Sequence, residues 1–111
     1  MAHRVGFFKD KFSREKYEEY IEAVRSEEDS RVLADFALNN DFSNVRLEAT
    51  NRIDDESVLV KVALNDSNKK VRMAAIRKIH DEFVLADIAS NDSGRSIRQL
   101  ASERLEELGY R

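Results

Sequence analysis

The chain has 111 residues, a formal net charge of −3, 37% charged and 41% hydrophobic residues, three glycines, and neither proline nor cysteine. Zero cysteines excludes disulfides, thiolate metal sites and a cysteine nucleophile, and fits a reducing compartment. An acidic total weighs against nucleic acid, whose binding draws on Lys and Arg neutralising phosphates.

The N-terminal stretch offers Phe7, Phe8 and Phe12 among Arg4, Lys9 and Lys11. This basic-aromatic cluster has three readings: a lid folded on the first helices, a membrane-surface contact, or a docking site. Its charges interrupt any secretory apolar stretch, and nowhere does an apolar run approach the ~20 residues that span a bilayer. A soluble, cytoplasmic, single domain over 1–111 is expected.

Tyr17, Tyr20, Ile21 and Val24 share one face at helical spacing, which predicts a capping helix over Ser13–Ser26. From there the chain repeats at a constant step, from position 45 to 71 to 97. Val45-Arg46, Val71-Arg72 and Ile97-Arg98 fall into register, as do Ala49, Ala75 and Ala101, and then Ile53, Ile79 and Leu105. Val32-Leu33, Val58-Leu59 and Val84-Leu85 align too, followed by Ala37, Ala63 and Ala89. Each unit reads as helix, polar turn, helix: 30–39 with 43–53, 56–65 with 69–79, and 82–90 with 95–108. Asp55 is placed to cap one helix, and Gly109 to stop the last. The segments are 1–27, then units 28–53, 54–79 and 80–108. A fixed period of this size implies stacked units whose short helices depend on their neighbours.

The unit resembles HEAT-like repeats, especially the short variety named after the phycobilisome lyases. The carrying residues are Asp66 with Arg72 in NDSNKKVRMAAIRKI and Asp92 with Arg98 in NDSGRSIRQLASERL; Asn40 stands for the aspartate before Arg46. The resemblance covers residues 28 to 108 and implies an all-α, right-handed α-solenoid of three two-helix repeats with an N-terminal capping helix. It also implies binding to other macromolecules. Arg72 is placed to reach the aspartate of its own turn, so the pair reads as structural, tying adjacent turns through charge-assisted hydrogen bonds.

The resemblance puts the second helix of each unit on the concave face. On that helix the positions opposite the buried stripe are Leu47, Asn51 and Asp54; Met73, Arg77 and His80; and Gln99, Glu103 and Glu106. Leu47, Asn51, Met73, Arg77, Gln99 and Glu103 form the expected partner-binding ridge. Apolar Leu47 and Met73 among charges mark either a docking patch or packing against the N-terminal segment. An alternative surface is the basic ladder Arg52, Lys78 and Arg104, suited to phosphate or nucleic acid or to ordinary helix-surface pairs, with Lys69, Lys70 and Arg95 nearby. The apolar end of three units is also open to a second chain.

For catalysis the residues are poor. His80 beside Asp81 and Glu82 does not supply the three or four convergent ligands of a metal site. Neither a phosphate loop nor a nucleophile motif occurs. A non-catalytic protein–protein interaction module without a cofactor is therefore expected. An accessory role in a tetrapyrrole-lyase-like system stays open through the resemblance.

Overall fold

The computed structural model describes residues 11–110, apart from the side chains of Lys11 and Phe12. Phe7 and Phe8 lie outside the described residues, and with them the choice among the three roles of the aromatic cluster. Seven helices and no strand occur among the described residues: α1 (Lys11–Ser26), α2 (Ser30–Asn39), α3 (Ser43–Arg52), α4 (Glu56–Asn65), α5 (Lys69–Ile76), α6 (Glu82–Asn91) and α7 (Arg95–Glu107). None is long and apolar enough to cross a membrane.

Local chemistry sets the helix ends at the same point of every repeat. Asp29, Asp55 and Asp81 are the N-caps of α2, α4 and α6, each accepting a backbone N–H from two residues ahead. At the turn inside each pair, Asn40, Asp66 and Asp92 accept the N–H of Phe42, Asn68 and Gly94 at 2.8–3.0 Å. These side chains replace the next helical hydrogen bond and turn the chain. Asn68 then caps α5 through the N–H groups of Lys70 and Val71. At the far end Gly109 has φ 93°, and the Tyr110 N–H reaches Leu105 while the Gly109 N–H reaches Glu106. That is a Schellman closure, which requires the left-handed conformation glycine adopts without cost.

The helices pack in pairs, α2 on α3, α4 on α5 and α6 on α7, while α1, α3, α5 and α7 contact one another in succession. The molecule extends 50 × 32 × 18 Å. One contiguous core joins the units. Leu33, Ala37, Leu59, Val62, Ala63, Leu85 and Ile88 come from the first helices, and Val45, Ala49, Val71, Ala75, Ile97 and Ala101 from the second. Full burial of one such Val, Leu or Ile contributes about 1.5–3 kcal/mol, which helices of eight to ten residues need because they are marginal alone. The alanines at 49, 75 and 101 are fully buried and leave room for close approach of neighbouring helix backbones.

α1 closes one end. Ile21 and Val24 are buried, and Tyr17 and Tyr20 make edge contacts with Phe42 and Phe36. One period before buried Val45 and Ala49, the equivalent positions of α1 carry exposed Glu19 and half-exposed Ala23.

The sequence reading extends three helices too far: α7 stops at Glu107, one residue short of the expected end, and the other two carry consequences for the core. α3 stops at Arg52 and α5 at Ile76, so Ile53 and Ile79 are buried from non-helical backbone. The last turns tighten through three-residue bonds, Ile53 to Thr50, Lys78 to Ala75 and Ile79 to Ile76. The chain then runs extended into the next cap, carrying the isoleucine inward from the linker rather than from the helix.

Two tests follow from this packing. Ala75→Glu buries a charge with no partner at a fully enclosed position and unfolds the protein; retained helicity and melting by circular dichroism would refute the register. The Asp55 carboxyl is held below its ordinary range by hydrogen bonds from the Ser57 hydroxyl and backbone N–H. A depressed folded pKa contributes stability above the unfolded value, near 4, that is lost as pH falls through the folded one. Asp55→Asn keeps a capping oxygen without the titration, so the variant loses less stability than wild type between pH 7 and pH 3 in urea unfolding.

Candidate functional site

The arginine after each buried Val or Ile of the second helices binds backbone of its own unit, and Arg46 and Arg72 also meet the aspartate of the following unit. Arg46 presents Nε and Nη2 to the two carboxylate oxygens of Asp66 at 2.8 and 3.2 Å, and its Nη1 donates to the Asn40 carbonyl at 2.8 Å. Arg72 pairs with Asp92 and donates from Nε to the Ala63 carbonyl. Arg98 donates to the Asp92 carbonyl. The ionic partner is therefore the aspartate of the following unit, and not the aspartate of the same turn, which the sequence reading paired with Arg72. The Arg46 and Arg72 guanidinia take a backbone carbonyl of their own unit, Asn40 in the turn and Ala63 near the end of α4, and meet the carboxylate facing back from the next turn. Asn40 fits this geometry: the same offset counted back from it reaches Tyr20, so no arginine of a preceding unit stands where Arg46 stands for Asp66. Its amide oxygen still makes the turn bond to Phe42. With Arg46 and Asp66 only 13% and 5% exposed, the forked pair is shielded from solvent and salt.

The basic ladder is engaged with backbone as well. Arg52 donates from Nη1 to the carbonyls of Val24 and Glu27 at 2.5 and 2.6 Å. Lys78 reaches the Asn51 carbonyl at 2.9 Å, and Arg104 the Ile79 carbonyl at 2.9 Å. Each cation thus sits over carbonyls at or just beyond the end of the previous second helix, where free oxygens and the negative end of the macrodipole attract positive charge. Glu56 adds a reciprocal link, accepting the N–H groups of His80 and Asp81.

The expected partner ridge divides. Leu47, Asn51, Met73 and Arg77 converge, with Lys70 and Ala74, on an open hollow of ≈ 430 Å³ between α3 and α5. Leu47 and Met73 are half-buried and rest on the core; Asn51, Lys70 and Arg77 are exposed. Gln99 and Glu103 lie on α7 outside this lining and hydrogen-bond each other at 3.2 Å. Asp54 and His80 stand beyond the helix ends. Asp54 approaches Lys78 at 3.7 Å, and the His80 ring lies between Glu56 and Arg104. Lys70 and Ala74 complete the lining, a contribution legible only once 70, 73, 74 and 77 are read as one i, i+3, i+4, i+7 face of α5. No group of three or more His, Asp or Glu side chains able to hold a metal occurs among the described residues.

Comparison of the chain with protein-family models, with curated proteins and with solved structures yields no match.

The asymmetry between Asn40 and Asp66 is testable. Arg46→Met strands the Asp66 carboxylate and costs about 3 kcal/mol, whereas Asn40→Asp changes stability by less than about 0.5 kcal/mol. Urea unfolding midpoints at neutral pH check both values; similar losses in the two variants would contradict the cross-unit pairing.

Proposed function

We propose that the chain is a non-catalytic protein–protein interaction module, a short right-handed α-solenoid of HEAT-like units acting in the cytoplasm without a cofactor. It takes a protein partner in the α3/α5 hollow, on the concave side of the array. One observation carries this reading. Four of the six ridge residues meet in one hollow, with apolar Leu47 and Met73 at its base and polar Asn51 and Arg77 at its edge. An apolar centre with a polar rim is the anatomy of protein interfaces, and Met and Arg are enriched there.

The alternative phosphate ladder has less support. Arg52, Lys78 and Arg104 already donate to backbone carbonyls, which gives each of them a structural role and leaves fewer of their N–H groups for a phosphate.

Affinity capture from source cells tests the reading. Wild type recovers a defined protein that resists nuclease and moderate salt, and Leu47→Gln with Met73→Gln loses it while keeping its helical circular dichroism. Recovery by that double variant moves the interface elsewhere. Recovery abolished by nuclease instead assigns the protein to nucleic-acid binding, whose affinity falls steeply with salt.

A further inference from the structure

We infer that the α3/α5 hollow receives one amphipathic helix of a partner protein, with apolar side chains between two carboxylates seven residues apart. This rests on the docking reading above and specifies its partner.

The charge pattern is the first argument. Three other surface hollows carry acids: Glu15, Glu18, Glu19 and Glu22 line one on α1, Glu18 and Glu22 line a second together with Arg25, and Asp35 and Asp41 lie in a third. The lining of the α3/α5 hollow has no carboxylate, and its two charges, Lys70 and Arg77, are both positive. In a chain of net charge −3, Arg25, Arg31, Arg46, Arg72, Lys78 and Arg104 each have a carboxylate within 4 Å, while Lys61, Lys69, Arg95 and several other described cations have none but line none of these hollows. Neither Lys70 nor Arg77 has one among the described residues.

Spacing is the second. Arg77 keeps helical dihedrals (φ −63°, ψ −17°) just past the end of α5. Lys70 and Arg77 are therefore about 10.5 Å apart along the axis, two turns on one side, with Met73 and Ala74 between them. A helix laid alongside presents residues i and i+7 at the same separation and i+3 and i+4 between, so carboxylates meet cations while apolar side chains enter the hollow. A phosphate backbone leaves the apolar base of Leu47, Met73 and Ala74 unused. The α1 helix of a second copy has Glu15 and Glu22 seven residues apart, but Glu18 and Glu19 stand where apolar groups are needed. The chain's own N-terminal aromatics come with Arg4 and Lys9, charges of the wrong sign.

The test uses two synthetic helix-favouring peptides. One has glutamates seven positions apart with two leucines between; the other has lysines in place of the glutamates. The protein has two methionines, Met1 and Met73, so ¹³C-methyl labelling reports on the hollow through one side chain. The acidic peptide is expected to shift the Met73 methyl signal and to bind at least about tenfold more tightly than the basic one. Lys70→Glu with Arg77→Glu, both exposed positions, is expected to reverse that order. Equal affinity for the two peptides, a Met73 signal that does not move, or concentration-dependent self-association that occupies the hollow overturns the inference. Capture separates its failure from that of the docking reading. A partner lost by Leu47→Gln with Met73→Gln but kept by Lys70→Glu with Arg77→Glu removes the acidic helix alone; a partner kept by both removes docking in the hollow.

Discussion

Five of the seven helices have only eight or ten residues, and helices of that length do not hold themselves in water. Everything else in this molecule answers that constraint. Each helix of a pair presents an apolar stripe, covered by its partner and, for the second helices, by the adjacent second helices. The second helices therefore lie in succession against one another, with fully buried alanines at 49, 75 and 101 permitting close approach. The core is one contiguous cluster to which all seven described helices contribute. Packing within each helix pair and packing between successive second helices together hold the units.

Apolar contact is non-directional, so it does not by itself fix how one unit sits on another. The polar links supply direction. Arg46 and Arg72 each tie a carbonyl of one unit to the carboxylate of the next, and Arg52, Lys78 and Arg104 reach back to carbonyls at the preceding helix ends. Both sets satisfy backbone oxygens that helices this short leave exposed at every end. The ladder of Arg52, Lys78 and Arg104, the alternative ligand surface in the sequence, is consequently part of the framework. Of the cations outside that framework, Lys70 and Arg77 are the two that line the α3/α5 hollow.

Much of the fold was legible in the sequence because its causes are local. The repeat period, the aspartate caps, the polar turns and the Gly109 stop are all written in side-chain types that act on backbone a few positions away. The same locality explains the overextension of α3 and α5. Ile53 and Ile79 continue an apolar stripe, yet stripe spacing cannot distinguish a buried side chain on a helix from one on the linker just past it. The candidate surface was legible in part. Leu47, Asn51, Met73 and Arg77 follow from helical phase alone, whereas Gln99 and Glu103 share that phase and still fall outside the hollow.

The sequence by itself determined where most of the helices start and stop, which faces are apolar and that the units recur, since backbone capping and side-chain period act over a handful of residues. Only the tertiary structure decided which charges are engaged. Arg72 has an aspartate on either side, Asp66 before it and Asp92 after it, and nothing in their order along the chain favours the more distant one. The choice depends on how far one unit is turned against its neighbour, a relation set by the packing of whole helices. That packing brings the Asp92 carboxylate to the Arg72 guanidinium and leaves Lys70 and Arg77 with no carboxylate in reach among the described residues.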